Sequence, residues 1–174
     1  RQRQMCIRDS VLGASLDNNI ICVDEKEVFA VEAVFDDLLE RVVAQGCVRV
    51  RNHQLARLEA VVLTPDRAHV NRRFVGKDAR VLLTEADIPF QGDPRLVVCE
   101  VAPDHPFVQH ELLLPVLPFV RVRSVDEGIA RAVEAEHGYG HTASMYSKDL
   151  DALHRMARAV DTSIFVKNAP HVAG

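Results

Sequence analysis

The sequence predicts an α/β fold, with an open, mostly parallel sheet flanked by helices. Two observations carry this. Short β-rich runs alternate with amphipathic stretches of helical length along most of the chain, and that alternation implies parallel strands joined by helical crossovers. The 174 residues, 48% of them hydrophobic, suffice for a real core in one domain or one lobe of a larger protein.

The elements follow in order. Residues 1–10, RQRQMCIRDS, show no helical or strand period and resemble a translated sequencing adapter, so they are expected to be a non-native leader before a natural sequence starting near Val11. Val28 to Val31 is a short apolar run of strand type. Ala33 to Gln45 reads as a helix with Val34, Leu38, Leu39 and Val42 on one face, ended by Gly46. Cys47 to Val50 alternates like a strand, and His53 to Leu63 is helical with Leu55, Leu58 and Val62 on one stripe. Lys77 to Ala86 is a further helix; Arg95 to Val101 and Val116 to Val122 are strands. Asp126 to Glu136 is a helix behind Ser124, with Glu127 three residues on in capping-box spacing. Thr142 to Tyr146 is a strand, Leu150 to Val160 a helix behind Asp149, and Ser163 to Val166 a strand. The loop-like run from Asn168 to Gly174 has no closing element, so residues 11–174 are expected to be a partial domain.

Composition excludes several classes of function. A net charge of -4, from 21 basic and 25 acidic side chains, argues against general affinity for nucleic acid or acidic membranes. There is no Trp, and 2 Tyr and 7 Phe are too few for a base-stacking platform. The apolar stretch Leu112 to Val120 contains Pro115 and Pro118 and is too short to span a bilayer. No CxxC pair occurs among Cys6, Cys22, Cys47 and Cys99, so a zinc ribbon or a thioredoxin-like site is excluded. Reduced thiols in a cytosolic setting are expected.

No GxGxxG, P-loop, HExxH or GxSxG motif is present. His137 and His141 have the spacing of a helical metal pair, but Gly138 and Gly140 between them favour a loop, so no metal is expected. Cys47 and Cys99 sit in apolar strands and read as core. Cys22 differs. A polar Asp17-Asn18-Asn19 turn runs almost straight into it, and such a turn can hold a thiol near backbone N–H groups at the start of a helix. By itself that pattern leaves open whether Cys22 is a buried structural thiol or a nucleophile. Glu25 and Lys26 read as an ordinary surface pair.

Four segments in order, over residues 13 to 174, resemble the aldehyde dehydrogenase superfamily. ASLDNNIICVDEKEVF is similar to its nucleophile segment, in the form found in the CoA-acylating propionaldehyde and acetaldehyde dehydrogenases of bacterial microcompartments. His105 to Pro118 (HPFVQHELLLPVLP) resembles its Glu-x-x-x-Pro-Val segment. Asp126 to Ser147 and Asp161 to Pro170 supply the third and fourth matches.

The resemblance implies that Cys22 is the nucleophile, forming a thiohemiacetal and then a thioester with a short aldehyde, with NAD accepting the hydride and coenzyme A the acyl group. It implies that the Cys22 backbone N–H is half of the oxyanion hole, that Glu111 holds the nicotinamide ribose, and that Pro115 shapes the turn beside it. A carboxylate suits vicinal hydroxyls as an acceptor. Asn19, His141 and Asn168 are candidates for contact with substrate or CoA, against turn-forming or loop roles. The family also implies a homo-oligomer at full length, a cytoplasmic location that extends to the interior of a microcompartment, and a shell as partner. Leu113 stands where many hydrolytic relatives place an aromatic, which fits the acylating branch. The alternatives are a hydrolytic aldehyde dehydrogenase and an inactive truncated domain. Without a dinucleotide-binding half, the isolated 174 residues are expected not to turn over.

Overall fold

Four strands, β1 (Val28–Val31), β2 (Val48–Val50), β3 (Val97–Glu100) and β4 (Val116–Val122), pair in parallel in the order β1-β4-β3-β2. The computed structural model describes residues 2–173. Register is set by Val28 opposite Phe119, Val97 opposite Val116, and Val48 opposite Val97.

Alternation along the strands divides the core into two layers. On one face Val50, Val97, Cys99, Val116, Val120 and Val122 pack with α3 (Asn52–Val62), α4 (Ala79–Glu85) and the short α5 (Pro106–Gln109). On the other, Ala30, Leu96, Val98, Leu117 and Phe119 pack with α1 (Gln2–Ala14) and α2 (Glu32–Val43). A sheet covered on both faces needs apolar residues at successive positions, which is why LVVCEV and VLPFVRV read as continuous runs. The rings of Phe35 and Phe119 meet edge to face with centroids 6.3 Å apart.

Helix α6 (Val125–Ala135) packs on β1, β4 and α7 (Leu150–Ala159). Ser124 caps α6 by accepting from the Glu127 N–H, while the Glu127 carboxylate accepts from the Arg123 N–H. Asp149 caps α7, its Oδ1 accepting from the N–H groups of Asp151 and Ala152. Strands β5 (Thr142–Met145) and β6 (Ile164–Lys167) form a separate two-stranded parallel sheet. No helix among the described residues is long and apolar enough to cross a membrane.

Three sequence expectations are corrected. Residues 2–10, where no element was expected, belong to α1, whose Ile7, Val11 and Ala14 are buried against the sheet. The buried face of α2 is Phe35, Leu39 and Val42, whereas Val34 is half exposed, because the strand-to-helix junction turns Phe35 onto Phe119. The sheet is not one surface, since β5 and β6 pair only with each other among the named strands.

Candidate functional site

The segment joining α1 to β1 begins with three consecutive residues in the left-handed region: Asp17, Asn18 and Asn19, at φ of 44°, 58° and 62°. Asp and Asn tolerate that region better than other residues with a Cβ. The run stops α1 and reverses the chain. The Asp24 N–H then donates to the Ile21 carbonyl at 3.0 Å, closing a β-turn whose corner residues are Cys22 and Val23. Cys22 is exposed there. It stands at a turn that feeds a strand, not at the start of a helix as the sequence suggested, because the left-handed run has already ended the helical backbone.

The turn is braced from within. Asn19, only 2% exposed, donates from Nδ2 to the carbonyls of Ala14 and Glu25 at 2.9 and 2.8 Å. The Lys26 ammonium donates to the Asn19 carbonyl, to Asn19 Oδ1 and to the Ile21 carbonyl at 2.9, 3.0 and 3.1 Å. Asn18 donates from Nδ2 to the Gly76 carbonyl and to Asp78 Oδ1, fixing the turn to the segment before α4.

Glu111 approaches from the other side. Its Oε1 lies 3.9 Å from Lys26 Nζ, and its side chain is 54% exposed. Leu113, at φ 55°, turns the backbone behind it, and the Leu113 carbonyl accepts from the Gly76 N–H at 3.1 Å. Glu111, Leu112 and Leu113 line an open pocket of about 820 Å³ with Thr64, Asn71 and Arg72. Pro115 is buried, and its carbonyl accepts from the Val97 N–H, so it pins the start of β4 to β3.

Residues far along the chain complete the site. The His171 N–H donates to Glu25 Oε1 at 3.1 Å, and His171 Nδ1 lies 3.0 Å from the Val23 carbonyl. A carbonyl only accepts, so Nδ1 carries the proton. Burial pushes the His171 pKa down to about 4. Both carboxylate oxygens of Asp24 are buried without a hydrogen-bond partner among the described residues, and burial pushes that carboxyl up. Glu27 keeps part of its surface open, yet desolvation around its carboxyl raises its pKa to about 7, with Lys26 acting the other way. Among the described residues no group of three or more His, Cys, Asp or Glu is arranged to hold a metal.

Lys26 braces the Cys22 turn through the Ile21 carbonyl and lies 3.9 Å from Glu111, and two of the remaining candidates are hydrogen-bonded within the fold. The Asn19 amide bonds within the turn itself, to the Ala14 and Glu25 carbonyls and to Lys26. Asn168, at φ 56°, accepts from the Ser147 N–H and donates to the Ser147 carbonyl, clamping the ends of β5 and β6. His141 is exposed, with Nδ1 2.7 Å from Thr142 Oγ1, and it stays accessible. Glu25 and Lys26 are not a surface pair: Glu25 is 5% exposed and the Lys26 side chain 19%. Sequence reasoning missed Lys26, Asp24 and His171. No period marks them, and Glu25 meets His171 across 146 positions. Cys47 and Cys99 are buried as expected, and burial pushes both thiols up to about 12.

Comparison with known proteins gives the same picture at larger scale. The profile of the aldehyde dehydrogenase family matches residues 6–174. The acetylating acetaldehyde dehydrogenase of Salmonella typhimurium is 42% identical over 168 residues, covering 94% of this chain and 36% of that protein. A propionaldehyde dehydrogenase from the Clostridium phytofermentans fucose utilisation bacterial microcompartment superposes with a TM-score of 0.93 at 38% identity, covering 98% of this chain and 39% of the other. The propionaldehyde dehydrogenase of Rhodopseudomonas palustris, with bound CoA and an acylated cysteine, superposes with a TM-score of 0.92 at 38% identity, covering 99% and 39%. The chain thus spans little more than a third of the length of these relatives.

Proposed function

Because the chain belongs to the aldehyde dehydrogenase family, we propose that it is part of the catalytic domain of a CoA-acylating, NAD-dependent aldehyde dehydrogenase that oxidises a short aldehyde. The observation that carries the proposal is the exposed Cys22 thiol at the corner of an internally braced turn, whose bracing lysine also lies beside Glu111.

Cys22 as a thiolate attacks the aldehyde carbonyl and forms a thiohemiacetal on its sulfur. The Cys22 N–H is a donor for the developing oxyanion. Loss of hydride from the former carbonyl carbon leaves a thioester on Cys22. Bound NAD would supply the hydride acceptor, and CoA the thiol that takes the acyl group. The residues present fit the dinucleotide at Glu111. Lys26 at 3.9 Å is too far to occupy that carboxylate as a hydrogen-bond donor, and more than half of the side chain is open to vicinal ribose hydroxyls. Pro115 holds the backbone behind it, and His141 is accessible to the acyl or CoA end.

Residues 11–174 are read as the partial catalytic domain, with residues 2–10 continuing its first helix. The acylated cysteine and the CoA in the Rhodopseudomonas palustris structure support CoA over water as the acyl acceptor. A homo-oligomer, a cytoplasmic or microcompartment location and contact with a shell are extended from the microcompartment relative on the same footing.

The test uses the enzyme that contains this chain. Cys22→Ala should lower aldehyde- and CoA-dependent NADH formation on the order of a thousandfold or more. Retained turnover would overturn the nucleophile assignment, and an undiminished rate without CoA would overturn the acylating one.

A further inference from the structure

We infer that Glu59 is a positioning residue for the pocket beside Glu111: its carboxylate gives one oxygen to each of the two chain segments that form the pocket walls. The inference rests on the reading that this pocket takes the dinucleotide.

One wall is the 64–72 segment, with Thr64, Asn71 and Arg72 on the pocket, and the other is Glu111, Leu112 and Leu113. Both are anchored on the last turn of α3. A helix ends with carbonyls that its own N–H groups cannot reach. Asn71 takes two of them, its N–H donating to the Val62 carbonyl at 2.8 Å and its Nδ2 to the Val61 carbonyl at 3.0 Å. That fixes the base of the first wall. Its tip is held by Arg67, which sits in the left-handed region at φ 59° and brings Nη2 to 3.2 Å from Glu59 Oε2.

The other carboxylate oxygen holds the second wall. His105 caps α5, its Nδ1 accepting from the Phe107 N–H at 3.1 Å. Nε2 therefore carries the proton and donates to Glu59 Oε1 at 2.7 Å. Helix α5 ends at Gln109, just before Glu111, and its Phe107 and Val108 are buried. The placement of His105 is thus passed to Glu111 along a short, packed segment.

The Glu59 and His105 side chains are only 14% and 11% exposed, so solvent does not readily replace the bond between them. Glu59 does not line the pocket itself and acts through the residues that do. A carboxylate accepts at both oxygens, whereas an amide accepts at one and donates at the other end. Glutamine at this position can serve His105, but it then turns its NH2 toward the Arg67 guanidinium, donor against donor.

The test uses the enzyme that contains this chain. Glu59→Gln should raise the KM for NAD, and the Kd for NADH read by its fluorescence, roughly tenfold, with kcat at saturating NAD and the KM for aldehyde within about twofold. Arg67→Met should act in the same direction. The double variant should bind NADH no more weakly than Glu59→Gln alone, because both substitutions remove one and the same bond. General loosening of the fold would add in the double variant and would lower kcat as well. Unchanged NADH affinity in Glu59→Gln overturns the inference, and so does an additive double variant. Where circular dichroism shows that Glu59→Gln does not fold, Arg67→Met carries the test, and unchanged NADH affinity there overturns the inference. Glu111→Gln separates the two readings. Weaker NADH binding in Glu111→Gln beside unchanged binding in Glu59→Gln removes the Glu59 role alone. Unchanged binding in Glu111→Gln beside weaker binding in Glu59→Gln supports the Glu59 role and removes the ribose contact of Glu111 alone.

Discussion

Glu25 accepts a hydrogen bond from the His171 backbone N–H at 3.1 Å, joining the Cys22 segment to a residue 146 positions further along. The His171 ring returns the contact by donating from Nδ1 to the Val23 carbonyl beside Cys22. This part-buried clasp ties the β6 end of the molecule to the Cys22 turn, and its protonation has a definite sign.

The His171 pKa is about 4 in the fold against an ordinary value of 6.5. A depressed folded-state pKa gives stability that is present above 6.5 and is lost as pH falls through the window down to about 4. The urea midpoint of the chain should therefore drop between pH 6.5 and 4.5, and His171→Asn should flatten that dependence. An equally steep acid limb in the variant would count against the clasp.

Glu27 titrates in the opposite sense. Burial raises its pKa from 4.5 to about 7, so its contribution is full below 4.5 and is lost as pH rises through 7. Glu27→Gln removes the charge but keeps the shape. It should raise the urea midpoint at pH 8 and leave it nearly unchanged at pH 5, as followed by circular dichroism.

Gly13 lies in the last turn of α1, where alanine ordinarily stabilises a helix by about 1 kcal/mol. Here a Cβ would overlap the Glu25 carboxylate, which is buried and held by the His171 N–H. Gly13→Ala is therefore expected to destabilise, by roughly 1–3 kcal/mol for overpacking. Chemical denaturation measures the sign, and a more stable variant would show that Glu25 moves aside at little cost.

Cys47 and Cys99, with thiols pushed up to about 12, should resist alkylation at pH 8 in the folded chain while Cys22 reacts. Cys99→Ala should cost about 1–2 kcal/mol through the lost buried sulfur and leave Cys22 labelling intact. Peptide mapping after a short pulse of reagent distinguishes the sites.

Much of the architecture was legible in the sequence because one physical rule governs it. A parallel sheet covered on both faces has to be apolar at successive positions, and β3 and β4 were read on that signal. The caps at Ser124 and Asp149 were legible because their bonds are local. Cys22 stands out by the Asp17-Asn18-Asn19 turn before it, and Glu111 only through the resemblance of its segment to a family motif. What escaped was decided by tertiary contact. Lys26 beside Glu25 has the spacing of a solvated pair, and its burial depends on Asn19 folding back over it. Asn168 has the composition of a ligand-contact residue but spends both amide atoms on Ser147. In α1 the stripe of Ile7, Val11 and Ala14 was masked by interleaved polar residues, and Phe35 displaced Val34 because a matching ring waited on β4.

The bonds that brace the Cys22 turn from within span five to seven residues, from Asn19 to Ala14 and Glu25 and from Lys26 to Asn19 and Ile21, while Asn18 ties it across the chain to Gly76 and Asp78. Those that bring Glu111 and His171 to it close far longer loops. Closing long loops is the slow part of assembling a parallel sheet. The inner bracing of the Cys22 corner is thus built to take shape early in folding, and the Asn18 ties, Glu111 and the His171 clasp arrive later around it.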